Sequence, residues 1–150
     1  MALKLTSPAF ENNTEIPSKF TCDGINVSPP LLIEEAPANT VSFVLIVDDP
    51  DAPSGTWSHW LLWNIDPNTT EIYENSTPLG ATIGMNDFKD LGWGGPCPPT
   101  GNHQYQFKLF ALDNTLQLEA GATQADLEEA MLGHVLEQTI LNGYYARAKA

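Results

Sequence analysis

Punctuation by proline and glycine constrains this chain more than any other feature. All twelve prolines and most of the eleven glycines fall in its first two thirds, so the segments between them are short and no long helix fits before about residue 120. This is the texture of an all-β chain. Segments 41–47 (VSFVLIV), 59–65 (HWLLWNI) and 105–112 (YQFKLFAL) carry the strongest strand signals, from β-branched and aromatic content and from alternation in the third. The first two are almost continuously apolar, which predicts central strands covered on both faces. One helix is expected: Thr123 caps it, Asp126 places a carboxylate at its positive end, and Leu127, Ala130 and Met131 form its apolar stripe up to Gly133. Beyond it, 134–145 reads as prolonged helix or as a returning strand, and Ile140-Leu141 before Gly143-Tyr144-Tyr145 tips the reading to a strand bulged at Gly143.

Length and composition narrow the class. At 150 residues one domain is expected, and a 42% hydrophobic fraction against 17% charged residues excludes a disordered chain. Six basic against nineteen acidic residues leave a net charge of −13, so nucleic acid and acidic membranes are poor partners. No apolar run approaches the roughly 18–20 residues of a membrane helix. The start, Met1-Ala2-Leu3-Lys4-Leu5, lacks the charged-then-apolar pattern of a signal peptide. A soluble, cytoplasmic protein is therefore expected. Cys22 and Cys97 are too few for a disulfide scaffold and form no zinc signature with the three histidines; they could meet in space, and in a reducing cytosol they read first as partly buried free thiols, with a bridge as the alternative.

The chemistry is expected in the two long turn-rich stretches, 48–55 and 92–101. In the first, Asp48-Asp49-Pro50-Asp51-Ala52-Pro53 follows a buried strand and precedes Trp57-Ser58-His59-Trp60. Carboxylates held by prolines are rigidly placed acceptors, although the same segment also reads as a turn in which Asp caps its own backbone. In the second, Gly94-Gly95-Pro96-Cys97-Pro98-Pro99-Thr100-Gly101-Asn102-His103-Gln104-Tyr105 is a stiff loop whose glycines admit close approach of a ligand. His103 and Tyr105 lie two apart and share a strand face, as a site or as an ordinary polar pair. Two carboxylates, two imidazoles, a phenol and free N–H groups suit a small oxyanion such as phosphate; the same set also suits a His2Asp metal site. His134 reads as a packed or capping histidine.

These segments resemble the signatures of the phosphatidylethanolamine-binding protein family. The resemblance is carried by Asp49-Pro50-Asp51-Ala52-Pro53, Trp57-Ser58-His59-Trp60 and Gly95 through Tyr105. It extends to Thr21-Cys22-Asp23-Gly24, Ser28-Pro29-Pro30-Leu31 and 130–136, which are similar to the bacterial and archaeal branch called Raf kinase inhibitor-like. It implies a two-sheet antiparallel Greek-key β-sandwich with a short helix and a C-terminal strand. It also implies a metal-free pocket, without cofactor, for phosphate-bearing headgroups or similar small anions. Asp49, His59, Gly95, Pro96, His103 and Tyr105 fall on that pocket, with Asp51, Pro53 and Trp57 at its rim or wall. Eukaryotic members modulate kinases by direct binding. Here only 146–150 follow Tyr145, so the C-terminal helix of the animal proteins is missing and a kinase-inhibitor role is inherited by name.

The expectation is thus a non-enzymatic binding protein for a small phosphate-containing or other anionic ligand, with a kinase-like signalling protein as its candidate protein partner. Two alternatives stand beside it. One is a phosphoester or other hydrolase using His59 or His103 as general acid–base, which lacks an evident nucleophile; the other is a protein-interaction inhibitor with a vestigial pocket. A homodimer is compatible with exposed sandwich faces, and nothing in the sequence specifies its interface.

Overall fold

Strand pairing carries almost all of the regular structure in a computed structural model that describes residues 2–147. In chain order the elements are β1 (Lys4–Thr6), β2 (Thr14–Glu15), a 3-10 turn (Ser18–Phe20), β3 (Leu31–Glu34), β4 (Ser42–Asp49), β5 (Trp57–Ile65), β6 (Glu71–Ile72), β7 (Thr82–Ile83), β8 (His103–Leu112), α1 (Gln124–Met131) and β9 (Val135–Tyr145). They form a three-stranded sheet, β1-β3-β6, and a six-stranded sheet, β2-β9-β8-β4-β5-β7. Mostly strand with one helix is the expected class. Residues 148–150 of the expected short tail lie outside the described residues.

The near-continuous apolar runs of β4 and β5 have the predicted cause, because the large sheet is covered on both sides. Alternation along β4 sends Phe43, Leu45 and Val47 into the core between the sheets, against Leu5, Leu31, Ile33 and Ile72 of the small sheet. The intervening Val44 and Ile46 face outward and pack with Leu61, Trp63 and Leu112 against Leu127 and Met131 of α1. The helix is short, so its attachment rests on this packing and on its cap. Thr123 and Asp126 form the capping box: the Thr123 hydroxyl accepts from the Asp126 N–H at 3.3 Å and the Asp126 carboxylate accepts from the Thr123 N–H at 3.2 Å.

The strands run further than their apolar content. β4 reaches Asp49, β5 starts at Trp57 and β8 starts at His103, because polar residues continue the ladder after the hydrophobic pattern stops. The segment 134–145 resolves to strand from Val135, with one correction. Gly143 is not bulged but pairs in register with Tyr105, and the irregularity lies where Ala111 and Leu112 oppose Glu137 and Val135. Glycine serves close approach at 143, since a Cβ there would sit 2.5 Å from Ile16 Cγ1 and 3.0 Å from the Phe10 ring. His134 is not packed: its side chain is half-exposed, with Nδ1 2.9 Å from Asp113 Oδ1, while its backbone N–H closes the end of α1 on the Met131 carbonyl at 3.0 Å.

Ile16 and Phe10 are buried in the main core and cannot yield freely. Gly143→Ala should therefore overpack this contact and cost about 1–3 kcal/mol of stability, read as a lowered urea midpoint at unchanged m-value; an unchanged midpoint would show that Ile16 repacks.

Candidate functional site

Two adjacent carboxylates end β4, and both are buried, Asp48 at 1% and Asp49 at 3% exposure. A buried charge is stable only when partnered, and the alternation of the strand gives each a different set of partners. Asp48 points to the α1 side, where its Oδ2 accepts from Lys108 Nζ at 2.6 Å and from Gln124 Nε2 at 2.9 Å. Asp49 continues the inner face of Val47. Its Oδ1 accepts from the Asp51 N–H at 2.8 Å and its Oδ2 meets His103 Nδ1 at 2.6 Å.

A β-bulge supplies the next component. Val47 pairs with Trp60 but Asp48 pairs with Ser58, so His59 is the extra residue, and the shift returns Trp57 and His59 to the side of Asp49. His59 Nδ1 donates to the Gly94 carbonyl at 2.5 Å, and its ring meets the edges of Tyr105 and Phe88 at centroid distances of 5.2 and 5.4 Å. Burial holds its pKa below the ordinary 6.5, against the raising influence of the Gly94 carbonyl and of Asp49, Asp48 and Asp87. With Nδ1–H given to the carbonyl, Nε2 is an acceptor in the neutral ring and a donor once protonated.

These groups surround a cavity of about 290 Å³ lined by Asp49, Ala52, Pro53, Ser54, Trp57, His59, Phe88, Cys97, Pro98, Pro99, His103 and Tyr105. His103 is committed within the wall, with Nδ1 on Asp49 and Nε2 on the Thr100 carbonyl at 3.0 Å, so neither nitrogen is left for a ligand. Two other lining residues show the opposite condition. The Tyr105 hydroxyl and the Trp57 indole N–H are both buried, and neither has a hydrogen-bond partner. Burial, then Asp49 and Asp51, push the Tyr105 pKa far up, so the group stays a phenol and can donate.

Of the residues singled out in the sequence, Asp49, Pro53, Trp57, His59, His103 and Tyr105 come together around the cavity. Gly95, Pro96 and Asp51 do not line it. The Gly95 N–H is turned away to Asn26 Oδ1 at 3.0 Å, and a Cβ there would collide with Asn26 and the Phe20 carbonyl. The Pro96 carbonyl accepts from the Cys22 N–H at 3.1 Å, and Asp51 accepts from the Gln104 N–H at 2.9 Å, tying its loop to β8. Phe88 was missed. A single aromatic in a loop of Asn, Asp and Lys carries no periodicity, and its edge contacts with Trp57, at 5.5 Å, and with His59 reveal it as wall. Among the described residues no three His, Cys, Asp or Glu side chains gather closely enough to hold a metal ion.

The free-thiol expectation is overturned. Cys22 and Cys97 form a disulfide, with Cα atoms 5.4 Å apart across 75 residues of sequence. Hydrogen bonds from Gly95 to Asn26, from Cys22 to Pro96 and from Trp93 Nε1 to the Phe20 carbonyl align the two segments, a convergence that spacing does not reveal. No helix among the described residues is long and apolar enough to cross a membrane.

Comparison with known proteins agrees with this fold. Residues 6–146 match the family described as phosphatidylethanolamine-binding protein. A UPF0098 protein of Methanothermobacter thermautotrophicus is 48% identical, covering 97% of this chain and 99% of that relative. Another, of Pyrococcus horikoshii, is 49% identical over 98% of this chain and 78% of its own length. Among solved structures, a phosphatidylethanolamine-binding protein homologue of Chlamydia trachomatis superposes with a TM-score of 0.94 at 39% identity, covering 98% of this chain and 99% of that one. Escherichia coli YbcL, described as a member of the mammalian family, gives 0.92 at 29% identity, covering 99% of this chain and all of that one. With a family match over most of its length and relatives near half identity, the chain belongs to the phosphatidylethanolamine-binding protein family.

Proposed function

We propose that the protein is a non-catalytic binder whose cavity captures a small phosphate-bearing headgroup or a similar small anion. The observation that carries this reading is the pair of buried donors without partners, Tyr105 O–H and Trp57 Nε1–H, in the lining of one cavity beside His59. An unmet buried donor is costly, and an anionic acceptor is the group that relieves two at once. Protonation of His59 adds a third donor and a positive charge in a cavity that no Lys or Arg lines.

The sign of the pH dependence follows. The free ring is held neutral down to a pH below 6.5, so binding an anion on His59 Nε2 takes up a proton. Affinity should fall as pH rises above the free-ring pKa, by up to about tenfold per unit, and level off below it. Sulfate, whose charge is constant over this range, separates this effect from the titration of phosphate itself. The ring resonance of His59, followed by NMR, should titrate below 6.5 in the ligand-free protein and move up on binding. Affinity for sulfate that is flat between about pH 5 and 8 would remove His59 from the binding groups.

Tyr105→Phe keeps the ring and deletes one donor. A hydrogen bond to a charged group contributes about 1.5–3 kcal/mol, so phosphate affinity measured by calorimetry should drop by about tenfold or more. The reading is tested with inorganic phosphate and phosphoethanolamine on the wild-type chain. Saturable binding without turnover supports it. Turnover of a phosphate ester that vanishes in His59→Ala would replace it with the hydrolase, whereas no binding, together with a protein partner lost on Asp49→Ala, would favour the interaction reading.

A further inference from the structure

One wall of the cavity is attached in an unusual way. Cys97, Pro98 and Pro99 line it, yet among the described residues none of the three makes a hydrogen bond. Two are prolines and have no N–H to give. The chain is fastened on either side of them, by the Pro96 carbonyl to the Cys22 N–H and by the Thr100 carbonyl to His103, and between those points the Cys22–Cys97 disulfide is the sole covalent cross-tie. The other end of that tie is anchored. Thr21 is buried and bonds the Ser18 carbonyl at 2.8 Å, and the Asp23 carboxylate accepts from Tyr145 Oη at 2.5 Å and from Arg147 Nε at 3.2 Å. Both cysteines are half-exposed, so a small thiol can reach them.

We propose that this disulfide is a redox latch on the cavity: oxidised, it holds the Cys97–Pro99 wall against Tyr105 and His103; reduced, it releases the wall and the ligand. The inference rests on the binding role proposed for the same cavity. The reductant is a dithiol. One of its thiolates attacks a bridge sulfur, forming a mixed disulfide and expelling the other cysteine as thiolate; the second dithiol sulfur then closes a ring and expels the first cysteine. The sum is one disulfide and one dithiol giving two protein thiols and a cyclic disulfide, with two electrons passing to the protein. Once the tie is cut, the stiff proline pair moves as one piece and water enters beside the two buried donors.

The test uses the full chain, oxidised and after dithiothreitol, together with a Cys22→Ser/Cys97→Ser double variant. Two readouts are taken: affinity for inorganic phosphate by calorimetry, and hydrogen exchange of two protected amides, that of position 22, which donates to the Pro96 carbonyl at the root of the wall, and that of Leu45 in β4. Expected on reduction, and in the variant, are at least tenfold weaker phosphate binding and an at least tenfold loss of protection at position 22, with Leu45 unchanged. Equal affinity in both redox states of a protein that binds phosphate overturns the latch. Acceleration that includes Leu45 also overturns it, because the bridge is then a staple for the whole fold. If phosphate binds in neither state while exchange at position 22 still accelerates locally, the latch stands and the phosphate reading fails; no binding and no change in exchange overturn both.

Discussion

Two neighbouring carboxylates in the interior, at the end of a strand covered on both faces, are the demand that the rest of this molecule meets. Removing Asp48 and Asp49 from water is tolerable only because each finds charged or polar partners, and the two-residue period of β4 forces those partners onto opposite sides of one sheet. Lys108 of β8 and Gln124 of α1 answer Asp48; His103 and the Asp51 N–H answer Asp49. The position of α1 and the course of the loop after β4 are therefore coupled to the same pair of residues. The cavity is what remains on the Asp49 side, where polar groups replace the apolar layer that fills the sandwich between Phe43 and Val47 and the small sheet.

The bulge at His59 converts that sheet end into a site. Without the extra residue, regular alternation beyond Trp60 would turn His59 towards α1. With it, Ser58 stays on the α1 side, where its hydroxyl meets Gln124, while Trp57 and His59 join Asp49. A local defect in pairing thus aims two side chains at once, and the Gly94 carbonyl fixes which ring nitrogen faces inward.

What the sequence made legible follows from which forces are local. The double-faced burial of β4 and β5 was visible as continuous apolar runs, and the α1 cap was visible because Thr123 and Asp126 are three residues apart and bond each other. Strand ends were read short, since Asp48-Asp49, Trp57-Ser58 and His103-Gln104 pair through backbone atoms that carry no hydrophobic mark. Gly143 misled because a bulge and a close approach both ask for the same residue, and only Ile16 and Phe10, more than 120 positions away, distinguish them. Six of the twelve lining residues, Asp49, Pro53, Trp57, His59, His103 and Tyr105, are legible as motif residues. Gly95 and Pro96 are backing rather than lining, because their backbone groups bond Asn26 and Cys22 instead of facing the cavity, and that long-range contact is also what brings the two sulfurs together.

The parallel pairing of β2 with β9 joins Thr14 to Gly143, and Leu3 bonds Glu137, so the first strands of the chain are completed by nearly the last. β8 and β9 also form the half of the large sheet on which β4 leans. A ribosome making this protein therefore exposes Asp48, Asp49 and the apolar faces of β4 well before their partners exist. Loop closure over that distance is slow relative to helix or hairpin formation. Completion of the large sheet must accordingly wait until β8 and β9 have been made, and until then the β4–β5 hairpin lacks its partner strand.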